Sequence, residues 1–204
     1  FETGETKILV GTQMVTKGLD FDNVGLVGVF NADRMMHFPD FRAYERAYQL
    51  IVQVSGRAGR KEKPGTVVIQ TTQADHAVIA HIRAQNFENF FDSEIADRQL
   101  HRYPPFTRLI EIVVKHIDKK TARDAAQQLY QSMRNTAHDV TVLGPTEPLI
   151  SKIRNQYLMT LMIKIPKGKI DLAAFKASLQ TTISDIMKLK AYRLCKITLD
   201  IDPQ

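Results

Sequence analysis

Apolar and polar positions follow one rhythm in the first half of the chain. Short apolar runs predict three strands, at residues 7–10, 24–30 and 67–69. Apolar residues spaced three or four positions apart predict three helices, at residues 41–54, 74–83 and 86–100. Because strands alternate with helices, we predict a parallel sheet with helices on both faces. We expect the first strand to be buried.

The second half has a different rhythm. Alternation of apolar and polar residues predicts four strands, at residues 108–115, 140–143, 156–165 and 194–200. Helical periodicity predicts two helices, at residues 119–136 and 171–188. We expect the first of these to bury Ala122, Ala125, Ala126, Leu129 and Met133. The order β-α-β-β-α-β is that of a ferredoxin-like split βαβ domain.

Residues 103–106 (YPPF) separate the two halves. Neither proline can donate a backbone hydrogen bond, so the helix predicted before them must end there. We therefore predict two domains, residues 1–100 and 101–204. The last helix of the first domain carries Phe87, Phe90, Phe91 and Ile95 on one side. At helical spacing this stripe favours a packing face, and base stacking is the alternative.

Charge is distributed unevenly between the halves. Residues 1–100 hold 11 basic and 13 acidic side chains, whereas residues 101–204 hold 17 and 9, which gives net charges of −2 and +8. A basic second half suggests a polyanionic partner such as nucleic acid, and an ordinary lysine-rich surface is the alternative. No apolar run reaches the length of about 18 residues that a membrane span needs.

The single cysteine and the histidines do not indicate a metal site. Cys195 lies in an apolar alternation and is expected to be a buried thiol in a reducing compartment. One cysteine excludes an internal disulfide. The six histidines are scattered without the spacing of metal ligands, so a hydrolytic metal site is disfavoured.

Two segments of the first half suggest phosphate chemistry. Residues 53–60 (QVSGRAGR) place two arginines, each preceded by glycine, at the end of a predicted helix. Planar guanidinium groups suit a phosphate chain, and glycine lets the backbone approach a ligand closely. Residues 11–21 (GTQMVTKGLDF) follow the first predicted strand, a geometry that places backbone N–H groups and a hydroxyl against a phosphate. Motifs at strand ends would line one edge of the sheet, so we expect Thr12, Asp20, Arg57 and Arg60 to share it.

Together these segments resemble motifs V and VI of superfamily 2 helicases, and more closely the PriA family of replication-restart helicases. Residues 24–33 (VGLVGVFNAD) and residues 40–46 (DFRAYER) are similar to the strand and helix between those motifs in that family. The similarity continues through residues 103–106 (YPPF) to residues 199–203 (LDIDP), and so covers essentially the whole chain. It implies a RecA-like second helicase lobe followed by a C-terminal DNA- and partner-binding domain.

The resemblance also implies roles for individual residues. Arg60 would be the arginine finger, and Arg57 a second phosphate contact. On the ATP side it implies Gln53, Asp20, Gly18 and Gly56. Asp20 could instead cap a helix or turn. A DNA phosphate would be held by Gly11, Thr12, Gln13 and Lys17, although a solvated charge is the default interpretation of Lys17.

The chain contains no Gly-x-x-x-x-Gly-Lys-Ser/Thr phosphate loop and no acidic magnesium motif. We therefore expect it to be the C-terminal piece of a longer protein, inactive as an ATPase by itself. ATP with Mg²⁺ would bind only together with a first lobe. The family's zinc, by the same resemblance, would be held by cysteines upstream of Phe1.

Two basic patches in the second half are candidates for DNA binding. The first is Lys152 and Arg154, with Tyr157 as a possible stacking partner for a base. The second is Lys167 and Lys169, in a run beginning at residue 164, before a predicted helix whose N-terminus would favour an anion.

Forked or single-stranded DNA is the expected partner, in the bacterial cytoplasm at replication forks. By resemblance, single-stranded-DNA-binding protein and primosome proteins are further partners. A non-catalytic adaptor that binds forks remains an alternative. Another is a different superfamily 2 translocase, such as a RecG-like remodeller or an RNA helicase.

Overall fold

A computed structural model describes residues 5–12, 24–59, 65–134 and 139–203. The chain divides into two compact units, Phe1–Asp97 and Arg98–Gln204. Each unit has a hydrophobic core of its own. Within the described ranges, no helix is long and apolar enough to cross a membrane.

The first unit is an α/β arrangement. Its described elements are β1 (Leu26–Val29), α1 (Ala32–Met36), α2 (Ala43–Ser55), β2 (Thr66–Ile69), α3 (Ala77–Ala84) and the start of α4 (Phe87–Leu100). Strands β1 and β2 are parallel, with Leu26 opposite Thr66. The prediction of a parallel sheet interleaved with helices is confirmed for these two strands.

The helices cover one face of this small sheet. Val29 and Ile69 pack against a core that includes Tyr48, Ile51 and Ile82. Leu26 and Val68 point to the other face and are 62% and 53% exposed. Among the described residues, helices on both faces are therefore not found.

The aromatic stripe on α4 is divided between core and solvent. The Phe90 ring stacks on Tyr48 with centroids 4.1 Å apart and an interplanar angle of 7°. Phe90 is 3% exposed, whereas Phe87 and Phe91 are 59% and 50% exposed. The packing interpretation is therefore confirmed for Phe90 but not for the two neighbouring phenylalanines.

Residues 7–10 do not form the predicted buried strand. Residues 5–12 are irregular, and Ile8 and Val10 are 77% and 82% exposed. A strand needs a neighbour to satisfy its backbone groups, and no described strand pairs with this segment. A run of three apolar residues does not supply that neighbour, so this prediction was wrong.

The second unit is built on an antiparallel sheet. Its elements after α4 are β3 (Thr107–His116), α5 (Lys119–Met133), β4 (Thr141–Thr146), β5 (Lys152–Ile153), β6 (Gln156–Pro166), α6 (Leu172–Lys188) and β7 (Lys196–Ile201). The strand order is β4-β6-β3-β7, and β5 forms a short hairpin with β6. The predicted order of elements is confirmed, with the two-residue β5 as an addition.

Both helices of this unit pack on the same core. Ile110, Ile112 and Val114 of β3 point into it, as their alternation predicts. From α5 it receives the five predicted residues, Ala122, Ala125, Ala126, Leu129 and Met133. Cys195 is also buried there, as expected. The helical period of α5 therefore predicted both its position and its buried face.

A buried lysine of β6 binds the segment that precedes β3. Lys164 is 6% exposed, and its Nζ donates a hydrogen bond to the carbonyl oxygen of His101 at 2.8 Å. The same ammonium lies 3.4 Å from the centroid of the Tyr103 ring. Burial, followed by the nearby Arg102 charge, lowers the pKa of Lys164. The carbonyl and the ring offset part of the cost of burying this charge.

Candidate functional site

Helix α2 ends in a tight turn, residues 56–59, which we call the glycine–arginine turn. Successive backbone N–H groups continue the helical bonding, from Gly56 to Val52 at 3.0 Å and from Arg57 to Val54 at 3.0 Å. Gly56 has ordinary right-handed angles, whereas Gly59 has a φ of 82°. The change of direction that glycine permits is therefore made at Gly59, one residue before Arg60.

The glycine–arginine turn lies where the two parallel strands begin. The Gly59 N–H donates to the carbonyl oxygen of Val24 at 3.1 Å, two residues before β1. Gly65, which directly precedes β2, lies against the same turn. Open α/β sheets bind ligands at the carboxyl ends of their strands, which is the opposite edge. The Arg57 backbone is thus at the edge opposite to the predicted one, because α2 runs back across the sheet.

The structure describes some, but not all, of the residues predicted for the ATP and motif V sites. Gln53 is exposed on the last turn of α2, and Arg57 is half-buried. Gly11 and Thr12 are exposed in the irregular segment of residues 5–12. Five predicted site residues lie outside the described residues: Gln13, Lys17, Gly18, Asp20 and Arg60.

A polar cluster that sequence reasoning missed occupies the carboxyl edge of the sheet. The Asp33 carboxylate accepts hydrogen bonds from the Thr71 hydroxyl, and from the Thr72 N–H and hydroxyl at 2.8 and 2.9 Å. The bond from Thr71, followed by that from the Thr72 N–H, lowers the pKa of Asp33. The Asn31 N–H donates to Gln70 Oε1 at 3.2 Å. The sequence signal that could have located this cluster is the polar residues that closely follow each of the two strands.

The first basic patch lies on the β5–β6 hairpin. Its two turn residues, Arg154 and Asn155, have φ values of 46° and 61°, as a two-residue hairpin turn requires. Lys152 pairs with Tyr157, and its Nζ lies 4.6 Å from the ring centroid. Lys152 and Arg154 are exposed, and Tyr157 is half-buried. One face of the tyrosine ring is thus already in contact with a cation.

The second basic patch is smaller than the sequence suggested. Lys167 and Lys169 are exposed in the turn before α6, but Lys164 is buried beneath residues 101–103. The N-terminus of α6 is occupied by the Asp171 carboxylate, which accepts from the N–H of Ala173 at 2.9 Å. An anion at this helix end would therefore compete with the protein's own cap.

No group of three or more His, Cys, Asp or Glu side chains is arranged to hold a metal ion in the part of the chain that the structure describes. The backbone N–H groups of residues 56–59 donate to carbonyl oxygens of the protein, so the charged groups that suit phosphate in the described residues are side chains. Those predicted from the sequence lie at the glycine–arginine turn, on the β5–β6 hairpin and in the turn before α6.

Comparison with known proteins covers both units. The family model "Primosomal protein N C-terminal domain" matches residues 99–204, and "Helicase conserved C-terminal domain" matches residues 1–62. The chain belongs to the PriA family. The Replication restart protein PriA of Bacillus subtilis is 42% identical over 165 residues, which are 80% of this chain and 20% of that protein. The PriA of Treponema pallidum is 34% identical over 206 residues, which are 100% of this chain and 30% of that protein.

The similarity to PriA is high in parts of the chain. The PriA of Chlamydia trachomatis is 48% identical over 113 residues, or 55% of this chain and 15% of that protein. The chain thus spans less than a third of the length of these PriA relatives. The resemblance stated from the sequence motifs is confirmed.

Proposed function

We propose that this chain is the C-terminal part of an ATP-dependent DNA helicase that restarts replication at stalled forks. The first unit is its second RecA-like motor lobe, and the second is a ferredoxin-like domain that binds DNA and partner proteins. The observation that supports this most is the glycine–arginine turn. Backbone hydrogen bonds hold residues 56–59 on both sides, and a fixed backbone favours a phosphate-contacting role for Arg57.

Arg57 of this turn and Arg60, which follows it in the sequence, act on the phosphate chain. Bound ATP with Mg²⁺ supplies the phosphoryl group whose hydrolysis drives translocation. Arg60, assisted by Arg57, offsets the negative charge that grows on the transferred group. Gln53, Gly56, Gly18 and Asp20 lie on the nucleotide side. The guanidinium groups suit phosphate oxygens, whereas the magnesium ligands and the phosphate loop belong to a first lobe.

DNA contacts come from both units. In the first, Gly11, Thr12, Gln13 and Lys17 hold a backbone phosphate, a contact that ignores base sequence. The second unit contributes the cations of the β5–β6 hairpin and of the turn before α6. Single-stranded-DNA-binding protein and primosome proteins are further partners in the bacterial cytoplasm, and zinc belongs to a segment upstream of this chain.

Salt dependence of DNA binding tests the hairpin. The 204-residue chain is titrated against fluorescently labelled forked DNA between about 50 and 200 mM salt, where phosphate contacts weaken with added salt. Arg154→Ala should flatten the slope of log K against log salt by about one phosphate contact. Arg134→Ala removes an exposed arginine at the end of α5 and should leave the slope unchanged. Salt-independent binding, or equal effects of both variants, would contradict the hairpin assignment.

ATP turnover tests the motor assignment. Alone, the chain should show no DNA-stimulated ATP hydrolysis, because it has no phosphate loop. The full-length protein that carries this chain should hydrolyse ATP, and Arg60→Ala should lower kcat by about 10³-fold or more. Turnover by the isolated chain, or an Arg60→Ala protein with unchanged kcat, would overturn the assignment.

A further inference from the structure

Backbone hydrogen bonds join the glycine–arginine turn to the segment just before β1, and that segment to the start of β2. The Gly59 N–H bonds to Val24 before β1, and the Thr66 N–H bonds to the carbonyl oxygen of Gly25 at 2.9 Å. Gly65 lies between these bonds, directly before β2. The sequence alone marks it only as part of a Pro-Gly turn. In the structure it lies directly against Ala58 and Gly59 of the turn.

The approach at Gly65 leaves no room for a side chain. A Cβ atom placed there would lie 2.4 Å from the Gly59 nitrogen, 2.5 Å from the Ala58 carbonyl carbon and 2.6 Å from the Ala58 Cβ. Two of these three are backbone atoms, which cannot rotate away. At Gly25, on the same edge of the sheet, an added Cβ would meet nothing within 4 Å. Of these two glycines that precede the strands, only Gly65 has no room for a side chain.

We propose that Gly65 is a positioning residue for Arg57 of the glycine–arginine turn, a role that rests on the proposed motor function. Non-bonded Cβ atoms essentially never approach another heavy atom within 3.0 Å, so a methyl group at position 65 must separate the Gly65 backbone and the turn by about 0.6 Å more. Ala58 follows Arg57 directly, and the displacement is transmitted to the guanidinium. A misplacement of about 1 Å at a catalytic group can lower a rate about 100-fold.

The test compares Gly65→Ala with Gly25→Ala in the full-length protein that carries this chain. We expect Gly65→Ala to lower kcat for ATP hydrolysis by about tenfold or more, with KM for ATP within about twofold. Affinity for ADP with aluminium fluoride, which imitates the transition state, should fall in parallel while ADP affinity is unchanged. Gly25→Ala should match wild type in all three measurements. A merely structural role would lower the melting temperature without changing the ratio of the two affinities.

The outcomes separate this inference from the proposed function. If Arg57→Ala keeps full activity, the assigned role of Arg57 is wrong. If Arg57→Ala lowers kcat but Gly65→Ala keeps wild-type kcat and analogue affinity, the positioning role is wrong. Should Gly65→Ala unfold at the assay temperature, the Gly65→Ala/Ala58→Gly double variant is used, because it removes one of the crowded contacts. A double variant with the kcat and analogue affinity of Ala58→Gly alone would overturn the proposal.

Discussion

Truncating Phe90 should destabilise the first unit strongly, because its ring is a central part of the core. The side chain is 3% exposed and stacks on Tyr48 at 4.1 Å. Replacing a buried phenylalanine by alanine costs about 3–5 kcal/mol, of which the aromatic pair accounts for about 0.5–1.5 kcal/mol. In a unit of this size, 3 kcal/mol corresponds to a fall in melting temperature of about 12 °C or more. Phe91→Ala is the matched control, with the same truncation at a half-exposed position, and should cost less than about 1 kcal/mol.

Urea and thermal unfolding followed by circular dichroism measure these differences, since the chain has no tryptophan to report by fluorescence. The two units can unfold separately, and only the transition of the first unit should move in Phe90→Ala. A Phe90→Ala protein within about 1 kcal/mol of wild type would refute the packing argument. DNA binding tests the other two rings separately. If Phe87→Ala and Phe91→Ala each weaken binding to single-stranded DNA by about 1–3 kcal/mol, these exposed rings stack on bases.

Three further predictions concern the second unit. Burial, followed by the Asp200 carboxylate opposite on β7, raises the pKa of Glu111. Folding therefore favours the protonated carboxyl, and the stability that this form contributes is lost as the pH rises above 4.5, the ordinary pKa of this group. Glu111→Gln should therefore be more stable than wild type at pH 7, with a flatter dependence of the urea midpoint on pH; a midpoint unchanged at pH 7 would contradict this. Asp171→Ala should lower the free energy of unfolding by about 1 kcal/mol, because the cap of α6 is lost, and Asp171→Ser should restore most of it in the same urea titration. Gly144 and Gly168 have φ values of 100° and 75°, but only at Gly144 would an added Cβ meet a backbone oxygen of β6, at 2.7 Å. Both alanine variants should lose about 1–2 kcal/mol of unfolding free energy through backbone strain, and Gly144→Ala should lose more because of the clash. Equal losses of unfolding free energy would contradict that clash.

The elements that depend on local periodicity were predictable from the sequence. Helix α5 was found with its whole buried face because five apolar positions repeat at helical spacing. The alternation in β3 likewise gave both the strand and its core side. Residues 7–10 were not predictable in this way, since a strand depends on a neighbour that a short apolar run does not specify.

The candidate sites show the same division between local pattern and tertiary contact. The motifs identified the family from residue types and spacing alone. Lys164 counted as a surface charge in the sequence, yet its burial depends on His101 and Tyr103, some 60 positions away. Neither the edge of the sheet reached by the glycine–arginine turn nor the glycine with a positive φ could be read from the letters GRAGR. Both depend on how α2 crosses the sheet and on the approach of Gly65.

The central position of β3 determines when the second unit can be completed during protein synthesis. β3 is the first strand of this unit to leave the ribosome, but its two neighbours are β6 and β7. The Leu109 N–H donates to the Asp202 carboxylate, 93 residues later in the chain. An apolar strand therefore waits for its second partner until β7 and Asp202 have been translated. Pairing over such long separations slows folding. Early termination would leave β3 with an unpaired edge, and such edges promote aggregation.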